Sequence, residues 1–78
     1  MEFRKGELVI CTAGRENERL MCVIDFDEKY VYVCDGKERT LNNPKRKNPK
    51  HVQKTNKQIP DSMFLTDRAL RKALSKEV

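Results

Sequence analysis

Apolar residues fall in short runs along the first half of the chain and in a helical stripe at its end. Leu8, Val9, Ile10 and Cys11 follow Gly6, and Leu20 to Phe26 form a second run that stops at the acidic turn from Asp25 to Glu28. Both runs are short and rich in branched or bulky side chains, which predicts strands rather than helices. From Tyr30 to Cys34 the sequence alternates, placing Val31 and Val33 on one face and Tyr30 and Tyr32 on the other. The valines belong to the core. The tyrosines either stack on unpaired bases or, the preferred reading, pack against the C-terminal helix, where their apolar area would supplement a thin core.

Asp35-Gly36 follows at once, a pair suited to the positive φ angles of a two-residue type I′ turn. Lys37 to Leu41 is therefore expected to return antiparallel to Tyr30 to Cys34. The next stretch, 42–58, is punctuated by Pro44 and Pro49 and reads as a presented loop over 42–50, with Lys50 to Thr55 as a short closing strand. Residues 59–65, including Met63 and Phe64, form a linker. Thr66 then caps a helix over 66–78 that carries Asp67 in its first turn, with Leu65 and Leu70 at the two positions of a hydrophobic staple. Leu70, Ala73, Leu74 and Glu77 share one face, and Arg68, Arg71, Lys72 and Lys76 are left to solvent. A helix of about a dozen residues is marginal alone, so it should dock on the strands or on a partner.

Charge changes this picture. Residues 42–58 hold Lys45, Arg46, Lys47, Lys50, Lys54 and Lys57 and no acid, while acids and bases nearly balance elsewhere, so the net charge of +5 comes from one stretch. No carboxylate close in sequence neutralises it, which points to a polyanionic partner. Runs of bases are also often plain solvated surface or a solubilising tail. The two prolines and the position between structured segments argue against a tail.

The chain of 78 residues has room for one domain, and one of this size buries roughly 60% of the surface its unfolded form exposes. Binding on an exposed face is accordingly expected in place of catalysis in a deep pocket. No stretch approaches the roughly 20 apolar residues that span a bilayer, and no signal peptide is read at the N-terminus, so a soluble, cytoplasmic protein is expected. Cys11, Cys22 and Cys34 are odd in number and lie inside strand-like runs, which suits reduced, buried thiols rather than disulfides. Zinc would want close cysteine pairs with histidine, and His51 is the one histidine. There is no nucleophile with a paired base and no glycine-rich phosphate loop before a helix, so neither an enzyme nor a cofactor is expected. The acids of the Asp25, Asp27, Glu28 turn are explained by the turn itself.

The run Gly6, Glu7, Leu8, Val9, Ile10, Cys11, Thr12, Ala13, Gly14, Arg15, followed by Leu20, Met21, Cys22, Val23, Ile24, Asp25, resembles a KOW motif, the strand-loop-strand unit of SH3-like barrels in ribosomal and transcription proteins. The likeness continues through Tyr30, Val31, Asp35, Gly36, Arg39 and Pro44-Lys45, and is similar to bacterial KOW-domain RNA-binding proteins and to a large-subunit ribosomal protein family of archaea and eukaryotes. It implies a mainly β fold, a small SH3-like barrel over 1–58 with one C-terminal amphipathic helix. It also implies RNA binding through the loops. The motif's second glycine, due near Asn17 or Glu18, is absent, and Asn17 is the expected substitute because asparagine tolerates left-handed backbone.

The candidate RNA site joins the loop of Gly14, Arg15, Asn17 and Arg19 to Arg39 and to the basic residues Lys45, Arg46, Lys47, Lys50, His51 and Lys54. Gly14 allows close approach, Arg15 and Arg19 can grip phosphate in a bidentate manner, and Asn17 can bond a base edge or a 2′-hydroxyl. Glu16 and Glu18 count against a purely electrostatic loop. The expected partner is ribosomal or ribosome-associated RNA. The rival is an adaptor that docks on a ribosomal or transcription-complex protein, with the lysines acting only through long-range steering.

Overall fold

The computed structural model describes residues 2–77. Met1 and Val78, the outer ends of the expected barrel and helix, lie outside the described residues. Five strands form one antiparallel sheet: β1 (Glu7–Cys11), β2 (Leu20–Phe26), β3 (Val31–Cys34), β4 (Lys45–Lys47) and β5 (Val52–Gln58). A 3-10 turn, Pro49–His51, separates β4 from β5. A second, Asp61–Phe64, precedes the helix α1 (Asp67–Ser75).

The sheet order is β4-β3-β2-β1-β5, with β4 and β5 at opposite edges. It is open, not the expected SH3-like barrel. Closure would need a ladder between the edges, and among the described residues none joins β4 to β5. The local chemistry gives the reason. β4 offers only three residues, Pro49 removes the next backbone donor, and the paired edge of β5 is taken by β1 from Glu7↔Gln58 to Cys11↔Val52.

Alternation of side chains builds a core on each face of the sheet. Val9, Cys11, Met21, Val23, Val31 and Val33 gather on one side under Phe3, with Val52 packed against them. Leu8, Cys22 and Cys34 face the other side, where Ile59 and the Leu70, Ala73 and Leu74 stripe of α1 cover them. The valines of β3 are core, as the alternation predicts. All three cysteines are buried and free. Cys22 stands directly opposite Cys34 across the β2–β3 ladder, and burial pushes both thiols up to about 12, so they are protonated apolar filler at neutral pH.

Helix α1 begins where its cap predicts. The Thr66 hydroxyl accepts from Ala69 N at 3.1 Å, and the buried Leu70, Ala73 and Leu74 repeat at helical spacing. The hydrophobic staple is not formed: Leu65 is 73% exposed, and Phe64 packs on the core beneath the helix in its place.

Asp35-Gly36 does not make a two-residue hairpin, and Lys37 to Leu41 is not a strand. Gly36 has the expected positive φ of 78°, but β3 pairs with Lys45–Lys47: Val33 stands opposite Lys45, seven residues beyond Glu38, the partner that a two-residue turn would give it. Asp35 explains this. Its carboxylate accepts from Lys37 N and Arg39 N, both at 2.9 Å, while the Asp35 and Gly36 amides donate to Arg39 O. The backbone groups of a returning strand are thereby bound into a compact turn. Leu41 N then donates to Asp67 Oδ1 at 2.8 Å, which ties the end of this loop to the start of α1.

Candidate nucleic-acid interface

The basic stretch is not a presented loop. Folding divides it between the two edge strands and the 3-10 turn that connects them, whose start is fixed by Asn48 accepting from Lys50 N. Acids remote in sequence reach several of its lysines. Lys47 pairs with Glu16 at 3.1 Å, Lys54 with Glu7 at 3.6 Å and Lys57 with Glu77 at 2.9 Å. Sequence segregation of charge is thus only partly segregation in space.

Lys47 is the least expected of these. In the β3–β4 register it stands opposite Val31, so its side chain points into the apolar face and is only 6% exposed. The ammonium crosses to the β1–β2 loop, donating to Ala13 O at 2.7 Å. Glu16, 4% exposed, meets it there. Arg39 grips the same carboxylate from the other side, with Nε and Nη2 at 3.0 and 2.9 Å from Oε2. The second oxygen, Oε1, lies beside Lys47 but off the angle of a hydrogen bond. Burial works to raise the Glu16 pKa, and the adjoining Lys47 ammonium and Arg39 guanidinium more than offset it, holding the carboxyl below its ordinary range. The group is an anion with two cations.

A second tether closes the junction. Thr12 N donates to His51 O at 2.8 Å, which binds the β1–β2 loop to the 3-10 turn. Within the loop Asn17 N donates to Gly14 O and Arg19 N to Glu16 O. The left-handed residue at its end is Glu18, φ 68°, and not Asn17. The missing glycine was expected at that point, but Glu18 takes the strained conformation because its amide must reach Cys11 O, 2.7 Å away, to close the loop.

Most of the expected site residues meet at this junction. Gly14, Arg15 and Asn17 are exposed on the loop, Lys50 is exposed on the turn bonded to it, His51 is half-buried in that turn, and Lys45 is half-buried on β4 opposite Val33. Arg39 and Lys47 are also here, but as partners of Glu16. Arg19 turns to Glu38 at 2.8 Å and Asp35 at 3.8 Å. Two residues lie elsewhere. Lys54 sits over the Phe3 ring and donates to Glu2 O, and Arg46 points to the opposite face with Tyr32, its guanidinium 4.5 Å from the Tyr30 ring centre.

The tyrosines do not pack on α1 as expected. Tyr30 is covered by Arg46, the Tyr32 hydroxyl bonds Asp27 at 3.2 Å, and neither belongs to the cluster under the helix. Glu16 is the residue that sequence reasoning missed, since no spacing links it to Arg39 or Lys47. Its one signal was that an acid, like Glu18 beside it, stands among the bases of the loop.

The chain matches no protein-family model and no curated protein. No helix among the described residues is long and apolar enough to cross a membrane.

Proposed function

We propose that this protein binds RNA through the junction of the β1–β2 loop with β4 and the 3-10 turn, by contacts to phosphate and to the shape of the strand. One observation carries the reading: the Thr12–His51 bond brings the loop of Arg15 against the turn of Lys50, Lys45 stands two residues before Lys47 on β4, and among the described residues no carboxylate forms an ion pair with any of the three. Asn17 lies beside them, able to bond a base edge or a 2′-hydroxyl. The likeness of residues 6–25 to a KOW strand-loop-strand unit points the same way, towards ribosomal or ribosome-associated RNA. Three buried free thiols suit a reducing compartment, which fits a cytoplasmic site of action.

With three free cations at the junction, about three phosphates are neutralised, and log K should fall against log salt with a slope of roughly −2 to −3. Arg15→Gln, Lys45→Gln and Lys50→Gln together should weaken binding to a structured RNA and flatten that slope, while the thermal melt moves little because Arg15 and Lys50 are exposed, Lys45 is only half-buried, and none of the three holds an ion pair among the described residues. A folded triple variant that binds RNA like the parent would move the weight to the adaptor reading. So would co-sedimentation with ribosomes that survives nuclease.

A further inference from the structure

Glu16 is the one acid of the β1–β2 loop that is turned inward, and its sequence neighbours on both sides, Arg15 and Asn17, are turned out. Its carboxylate holds Arg39 from the turn after β3 and Lys47 from β4. These two contacts and the Lys47 bond to Ala13 O fasten the loop to two other parts of the sheet. We infer that Glu16 is the positioning residue of the RNA site: it contacts no RNA, but it sets the loop so that Arg15 and Asn17 face the ligand beside Lys50.

This rests on the RNA reading and adds a sign that simple electrostatics does not share. Replacing an acid with a neutral residue makes the protein more positive, and a binding surface governed only by net charge would then hold RNA more tightly. A positioning residue gives the reverse. Once the carboxylate is lost, Arg39 and Lys47 are released from it, the loop is no longer tied to β4 through Glu16, and Arg15 has no fixed place from which to meet phosphate.

The test measures binding of one structured RNA across a salt series for the parent, Arg15→Gln, Glu16→Gln and the double variant, at a temperature where each is folded. Glu16→Gln should bind about fivefold to tenfold more weakly than the parent, with a slope shallower by about one, as for loss of one phosphate contact. In the Arg15→Gln background the same change should weaken binding much less and leave the slope unchanged, because the phosphate contact that Glu16 holds in place is already gone and only the uncharged Asn17 remains to be displaced. Should Glu16→Gln fold poorly with Lys47 left buried and unpaired, Glu16→Gln with Lys47→Met removes both charges and should show the same weakened, shallow-sloped binding. Tighter or unchanged binding by the folded Glu16 variants, with Arg15→Gln still weakened, overturns the positioning role alone. A parent that shows no salt-dependent RNA binding overturns the RNA reading, and the inference with it.

Discussion

Gly36 offers the sharpest test of how the two halves of the molecule meet. A Cβ atom built there would fall far inside contact distance of Asp67 O, and would lie 3.0 Å from Arg71 N and 3.2 Å from the Asp67 carbonyl carbon, all backbone atoms of α1. The helix cannot give way by a side-chain rotation. Gly36→Ala therefore carries two costs, about 1–2 kcal/mol for placing a Cβ at φ +78° and about 1–3 kcal/mol for pushing α1 off the sheet. Their sum, about 2–5 kcal/mol, should lower Tm by roughly 10–30 °C in a domain of this size. Gly14→Ala is the control. Gly14 has nearly the same φ, 80°, but its Cβ would meet side-chain ends in place of backbone, Lys47 Nζ at 2.9 Å and Glu16 Oε1 at 3.9 Å. It should lose about 1–2 kcal/mol. Gly36→Asn separates the two costs further, because asparagine tolerates left-handed backbone yet still brings a Cβ against the helix. If Gly36 served only a tight turn, asparagine would be accepted; packed as it is under α1, the variant should remain strongly destabilised. Melts followed by circular dichroism would refute the close approach if Gly36→Ala matched Gly14→Ala, or if Gly36→Asn melted like the parent.

Leu70→Ala should cost about 2–5 kcal/mol by opening a cavity between α1 and Cys22, Cys34 and Leu8, whereas Arg71→Gln on the outer face should stay within about 0.5 kcal/mol; equal denaturant midpoints would mean that the helix does not rest on the sheet. Acid should unfold the protein partly through Glu16. A depressed folded pKa contributes stability that is present above the unfolded value, about 4.3, and is lost as pH falls through the folded one. Asp27, held low by the amides of Tyr30 and Lys29, adds to the same acid limb. The part due to Glu16 is therefore the difference between parent and Glu16→Gln, whose stability should depend less steeply on pH below about 4.3; parallel acid titrations would show that the buried pair does not titrate on unfolding.

The elements that were legible in sequence are those whose signals are local. The runs around Val9 and Val23, the alternation of Val31 and Val33, and the Thr66 cap each carry their own periodicity or capping chemistry, and each element formed where that chemistry placed it. The partner of β3 was hidden because a ladder asks only for backbone groups in register, and Lys45, Arg46 and Lys47 carry no strand signal of their own. Asp35 misled for a related reason. The same Asp-Gly pair suits a two-residue hairpin and the longer turn that its carboxylate builds with Lys37 and Arg39, and the choice between them was settled by Leu41 and Gly36 meeting α1, some thirty residues away in sequence. The site divides likewise. Exposed Arg15, Asn17 and Lys50 were found by residue type, but the pairing of Glu16 with Lys47 and Arg39 exists only in the folded chain.

Openness of the sheet gives the basic stretch a second physical role. The two edges of the sheet, β4 and β5, are both drawn from residues 42–58, and an unpaired edge invites another chain to add a strand. Lysines along an edge oppose that, and so does a bulge. β5 has both: Lys54 and Lys57 flank a register shift against Leu8 and Val9, where Asn56 takes a φ of 68°. Lys54 and Lys57 are held by Glu7 and Glu77, which suits guarding an edge and leaves little charge for a polyanion. The turn at Pro49–His51 presents no edge, so edge protection does not explain Lys50; nor does it explain Arg15, which lies on a loop between two strands of the interior of the sheet. What remains after the edges are accounted for is the small cluster at the Glu16 junction, and on the proposed reading it is there, not along the whole basic stretch, that an RNA phosphate would meet Arg15 and Lys50, which form no ion pair among the described residues.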